Sequence, residues 1–129
     1  IHPAKVSANI YFSDALSHKM YGGCDAILVP SRFEPCGLTQ LMALRYGSLP
    51  IVRETGGLKD TVIPYDEYNQ SGTGFSFANY DAQELLNTIN YAKEVFYNHK
   101  KEWEAMQVRA MEQDYSWNTS AKRYEDLYR

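Results

Sequence analysis

The chain has 129 residues, 44 % of them apolar and 22 % charged, with a net charge of −3. That length suits one domain with a modest core. The acidic balance argues against nucleic acid as a partner, because phosphate backbones call for a basic face. No apolar run is long enough to span a bilayer, and neither a membrane partner nor a leader is expected. The two cysteines, Cys24 and Cys36, have no metal-ligand spacing and are expected as reduced thiols.

From Lys5 to Phe12 the residues alternate, with Val6, Ala8, Ile10 and Phe12 on one side. That is the period of a strand with one buried face. Ser13 is placed to cap a short helix with Leu16, Met20 and Tyr21 inward, ended by Gly22-Gly23. Ala26 to Val29 is a continuous apolar run, as for a parallel strand covered on both faces. Pro30 ends it, and Ser31 to Cys36 form a loop. A helix opens near Gly37 and carries Leu38, Leu41, Met42 and Leu44 toward a core, up to Gly47.

Leu49 to Val52 is the next strand, followed by a turn at Thr55-Gly56-Gly57 and a short helix from Leu58 to Val62. Ile63 to Gly74 is polar and reads as a surface loop before a short strand at Gly74 to Phe77. Asp81 and Glu84 have the capping-box spacing, opening a helix with Leu85, Ile89, Ala92 and Phe96 on one stripe. A break at Asn98-His99 precedes a helix with Trp103, Met106 and Ala110. The last helix, after Ser116, carries Trp117, Ala121, Tyr124 and Tyr128 at helical spacing. Both tryptophan stripes are expected in the core, and most of the eleven tyrosines are expected to pack. The fold class is α/β: a Rossmann-like parallel sheet over about residues 1–80, then helices over about 81–129.

The chemistry concentrates between Asp25 and Gly47. Ligands of open α/β sheets sit at the carboxyl ends of the strands. The first amides of the helix at Gly37, Leu38 and Thr39 lack internal partners and can hold an anion. Glu34 stands in the same loop, able to accept hydrogen bonds from sugar hydroxyls or to stabilise positive charge at an anomeric carbon. Its alternative is a solvated loop carboxylate. A phosphate seat beside a fixed carboxylate suits a phosphorylated, hydroxyl-rich ligand. Gly56 and Gly57 form a second close turn, alternatively an ordinary strand-to-helix turn. Arg32 and Arg53 stand beside these loops as possible phosphate screens. Cys36 has no paired base and is expected to pack. His18 is expected to be structural, and His2 and His99 show no partner pattern.

The stretch PSRFEPCGLTQLMALRYG, followed by LPIVRETGGLKDTV, resembles the bacterial glycogen synthase and plant starch synthase family. The likeness runs from about Tyr11 to Thr61. It continues more weakly through Gly72-Thr73-Gly74-Phe75 and from Asp114-Tyr115-Ser116-Trp117 to the end. The resemblance implies a retaining transferase that moves glucose from ADP-glucose, or UDP-glucose, to the non-reducing end of an α-1,4-glucan. It implies the two facing Rossmann-like domains called GT-B, of which this chain is the later part of the second, nucleotide-binding one. The glucan acceptor would then be held mainly by the first domain, and the chain alone would be inactive.

By resemblance, Glu34 is the essential carboxylate. Gly37, Leu38 and Thr39 touch the distal phosphate, Phe12 packs on adenine, and Cys36, Gly56 and Gly57 belong to the donor-sugar loops. Phe12 is alternatively a core residue of its strand. Many relatives of this fold have a second Glu where this chain has Met42, so one carboxylate is assigned. No metal and no cofactor are expected beyond the nucleotide-sugar substrate. The implied setting is the cytoplasm of a bacterium or the plastid of a plant. The rival readings are another GT-B transferase, sucrose synthase-like or mannosyl, or a nucleotide- or glucan-binding module without activity. Cys36, Thr39-Gln40 and Met42 speak against the first rival.

Overall fold

A computed structural model describes residues 2–129. Helix α1 spans Asp14–Gly23, strand β1 Ala26–Val29, α2 Thr39–Tyr46, β2 Leu49–Arg53 and α3 Gly56–Thr61. Strand β3 covers Phe75–Phe77, and the helices α4 (Ala82–Asn98), α5 (Lys100–Glu112) and α6 (Trp117–Tyr128) follow. The strands form one parallel sheet in the order β1-β2-β3. Leu28 stands opposite Ile51, and Ile51 opposite Phe75. Parallel pairing brings the loops after β1 and β2 out on the same edge of the sheet.

Strand β2 is the spine, buried from Leu49 to Val52. On one face lies the larger core: Leu44, Leu49, Ile51, Phe75, Ala92, Val95, Trp103, Met106 and Ala110. Val52, Leu58 and Val62 make a smaller cluster with Val29 on the α3 side. Trp103 stacks on Phe75 at 5.8 Å between ring centres and meets Phe96 edge-on at 5.1 Å. Such contacts add to the area that a buried indole removes from water.

The caps follow the sequence. Ser13 accepts from the Leu16 amide and opens α1, Asp81 accepts from the Glu84 amide and opens α4, and Ser116 opens α6. Gly47 ends α2 in the left-handed region, φ +78, where a Cβ would crowd the backbone. His18 shares a 2.9 Å hydrogen bond with the Tyr46 hydroxyl, and Tyr21 stacks on the Tyr46 ring, tying α1 to α2.

Several expectations are corrected. Lys5 to Phe12 form no strand, and Val6, Ile10 and Phe12 are exposed. Period-two alternation describes a face, but a strand also needs a ladder, and among the described residues no strand pairs with this segment. Strand β1 is therefore an edge and is only half-buried, with Leu28 exposed, instead of covered on both faces. Met20, Leu38 and Met42 face outward. The buried residues of α2 are Gln40, Ala43 and Leu44. Helix α3 begins at Gly56, two residues earlier than expected, so both glycines lie in its first turn. The 63–74 loop is not wholly at the surface: Gly72, Thr73 and Gly74 are buried, and the Tyr65 amide bonds the Gly74 carbonyl. Trp103 is core as expected, whereas Trp117 is 90 % exposed and α6 buries none of its residues. Helical spacing sets a stripe, and nothing among the described residues covers this one.

Candidate functional site

The site is built from two loops at the carboxyl edge of the sheet. After β1 the chain runs through Pro30 to Leu38. After β2 it turns through Glu54 and Thr55 into α3. The two turns hold each other. The Gly57 amide donates to the carbonyls of Glu34 (3.3 Å) and Pro35 (3.1 Å). A Cβ on Gly57 would run into the Cys36 carbonyl, and one on Gly56 into that of Glu34. Gly56 also has φ +47. The glycine pair is thus required by backbone packed on backbone, a closer role than the direct approach to a sugar that the sequence suggests.

Glu34 is half-buried, and its carboxylate accepts from the Ser31 hydroxyl at 3.2 Å. No lysine or arginine pairs with it among the described residues. One oxygen of the carboxylate is thereby oriented while the group keeps acceptor capacity for a ligand. Three residues on, Gly37 takes φ +69 and turns the chain into α2. The residue before that helix, Leu38, provides no side-chain cap. Among the described residues the amides of Gly37, Leu38 and Thr39 donate to no protein acceptor. An uncapped helix start with free amides at the open edge of a sheet can hold an anion.

The other expected residues are distributed as follows. Phe12 is 92 % exposed, just ahead of the Ser13 cap, so among the described residues it belongs to no core and its ring is accessible. Cys36 is exposed as a free thiol and does not pack. What the loop uses is its carbonyl. Arg53 donates to the Arg32 carbonyl at 2.7 Å, bracing the loop from β2, and both guanidinium groups lie 5.9 Å from the Tyr80 ring centre. Met42, where a second carboxylate stands in many relatives of this fold, is exposed.

The sequence reading used Gln40 only against a rival family and gave it no place in the site. It is fully buried in the first turn of α2. Its side-chain nitrogen donates to the carbonyls of Cys36 and Gly37, each at 3.0 Å, and contacts Thr61 Oγ1 at 3.3 Å. Thr61 in turn donates to the Gly57 carbonyl at 2.5 Å. The signal was available: Gln40, Ala43, Leu44 and Gly47 share the helical spacing of the buried face.

Among the described residues no three His, Cys, Asp or Glu side chains converge as metal ligands. No described helix is long and apolar enough to cross a membrane.

Comparison with known proteins decides the family. Residues 1–104 match the family model for glycosyl transferases group 1. The chain belongs to this family. A glycogen synthase of Lachnospira eligens is 66 % identical over 124 residues, covering 96 % of this chain and 26 % of the relative. One from Lachnoclostridium phytofermentans is 58 % identical over 127 residues, covering 98 % of this chain and 27 % of its own. The chain thus spans about a quarter of the length of the curated relatives it matches. Among solved structures, the catalytic domain of starch synthase IV from Arabidopsis thaliana, bound to ADP and acarbose, superposes with a TM-score of 0.83. It is 40 % identical, with 92 % of this chain and 24 % of that one covered. The resemblance to glycogen and starch synthases is borne out, and with it the α/β, Rossmann-like parallel fold of a GT-B transferase.

Proposed function

We propose that this group 1 glycosyl transferase chain is the nucleotide-sugar side of a retaining glucan synthase. The parent enzyme transfers glucose from ADP-glucose to the non-reducing end of an α-1,4-glucan. The observation that carries the reading is the pairing of Glu34 with the free amides of Gly37, Leu38 and Thr39 at one edge of the sheet. The similarity to glycogen synthases and to an ADP-bound starch synthase supports it.

In this reading the amides receive the distal phosphate of the departing diphosphate, where the positive end of α2 favours negative charge. The bond from the anomeric carbon to the diphosphate oxygen breaks on the face where the acceptor 4-hydroxyl adds, so the α configuration is kept. The hydroxyl proton leaves with the diphosphate or to water. Glu34 binds donor hydroxyls or steadies the positive charge at the anomeric carbon. Phe12 supplies a flat face for adenine, and the loop of Cys36, Gly56 and Gly57 encloses the donor sugar. The nucleotide-sugar is the only small molecule invoked, with no metal or other cofactor. The acceptor glucan is held largely by a further domain, which leaves the isolated chain inactive. The proposed setting is the cytoplasm, or the plastid in a plant.

The test is incorporation of labelled glucose into glycogen by the full-length protein from ADP-glucose, UDP-glucose and, for the labelled mannose control, GDP-mannose. Preference for ADP-glucose is expected. Preference for GDP-mannose, or binding of ADP without any transfer, overturns the reading in favour of another transferase or a binding module. Elongation by the isolated chain would refute its proposed inactivity.

A further inference from the structure

We infer that Gln40 is the positioning residue of the phosphate seat, the side chain that aims the loop amides at the ligand; the inference rests on the function proposed above. Its carboxamide is buried and reaches the Cys36 and Gly37 carbonyls together, each at 3.0 Å. Carbonyls only accept, so the group facing them is the NH2 end, which fixes the orientation of the amide. Across a trans peptide the C=O and the following N–H point in opposite directions, and no peptide bond among the described residues is cis. Drawing the Cys36 and Gly37 carbonyls inward therefore turns the Gly37 and Leu38 amides outward. The Gly57 amide does the same to the Pro35 carbonyl, and so to the Cys36 amide. Consecutive N–H groups facing one side make an anion-binding concavity.

Two further observations single out Gln40. Its Oε1 is buried with no partner, so the carboxamide is held through its nitrogen alone, on the two loop carbonyls and Thr61. That oxygen lies against Gly37 where a Cβ would be, so the residue that turns the loop and the residue that aims it are packed as a pair. The Thr61 hydroxyl then links Gln40 to the Gly57 carbonyl. The phosphate loop and the turn that braces Glu34 thus share one part-buried hydrogen-bond network. Gln40 is fully buried and acts through the backbone it holds.

Gln40→Met keeps the shape and removes the donors. The experiment is calorimetric titration of the full-length protein and its Gln40→Met variant with ADP and with adenosine. ADP affinity is expected to fall about tenfold or more, as for misaligned charge-assisted hydrogen bonds, with adenosine affinity unchanged. Equal losses for both ligands would mark a structural role and overturn the inference, as would full retention of ADP affinity. If the wild type binds ADP no better than adenosine, the phosphate seat itself fails, a separate result that removes the ground for both. Should the variant not fold, wild type labelled with 15N-glutamine decides. A shift of the Gln40 side-chain amide with ADP but not adenosine supports the inference, and no shift with ADP overturns it.

Discussion

The backbone amide of Gly57 donates to the carbonyls of Glu34, at 3.3 Å, and Pro35, at 3.1 Å, so the turn after β2 holds the loop after β1. The Cβ that any other residue would bring to this position meets the Cys36 carbonyl, which is backbone and cannot rotate away. Gly57→Ala is therefore expected to push the loop outward together with Glu34 and the amides of Gly37 and Leu38. A displacement of about 1 Å at a catalytic group is enough to cost about a hundredfold in turnover. Glucan elongation by the full-length Gly57→Ala protein should drop by that order, with ADP binding weakened as well. Unaltered turnover would show that the loop holds its place without the turn.

Trp103 tests the core that positions the sheet. It is 2 % exposed, stacked on Phe75 and meeting Phe96. Trp103→Ala leaves a cavity between α5 and β3, and its expected cost is about 3–5 kcal/mol of unfolding free energy. The indole nitrogen has no partner in the core, so Trp103→Phe should cost far less, since it removes an orphaned donor along with some area. Denaturant unfolding of the two variants measures the difference, and equal losses would contradict it.

Asp114 gives a pH dependence with a definite sign. Its carboxylate accepts from the Thr119 hydroxyl at 2.6 Å and from the Ser116 amide at 2.9 Å. These bonds, that of Thr119 foremost, hold its carboxyl at about 2 against an ordinary 3.8. A carboxyl that titrates lower in the folded state stabilises it fully above the ordinary value. That contribution is lost as pH falls toward the folded value, here from about 4 to about 2. The Thr119 and Ser116 amide signals at the start of α6 should move in this window, and Asp114→Asn should abolish the movement. A midpoint at the ordinary carboxyl value would show that the bonds do not persist in solution.

The sequence made the order of elements after Ser13 legible, because apolar runs, glycines and caps are local signals: Ser13 and Asp81 cap as their sequence suggests, and the last helix follows Ser116. The misreadings concern what lies across from an element. Val6, Ile10 and Phe12 alternate like a strand, and Trp117 and Tyr124 repeat like a buried helix face, yet all five are exposed. Periodicity reports which side chains share a side, and partner surfaces decide whether that side is covered. At the candidate site, Glu34 and the amides of Gly37, Leu38 and Thr39 could be located from the strand–loop–helix pattern. The grip of Gln40 on two carbonyls, and of Gly57 on two others, depends on backbone directions that residue types do not encode.

Glu34 and the neighbouring amides make different demands on substitution, and this separates their roles. In the proposed function the amides meet a phosphate present in both ADP and ADP-glucose, so their role there is binding. The Glu34 carboxylate, oriented by Ser31 at 3.2 Å, is assigned to charge that develops as the glycosidic bond to the diphosphate breaks. Interactions stronger in the transition state than in the ground state act on turnover. Glu34→Gln keeps the shape and removes the charge, and in the full-length protein kcat is expected to fall about 10²–10³-fold, as when an oriented electrostatic stabiliser is lost. ADP affinity should hardly change. Ser31→Ala, which frees the carboxylate without removing it, should fall between wild type and Glu34→Gln. Steady-state kinetics and ADP titration on the same preparations supply both numbers. A loss shared equally by kcat and ADP affinity would move Glu34 from transition-state stabilisation to ground-state binding, and an unchanged kcat would remove it from the reaction.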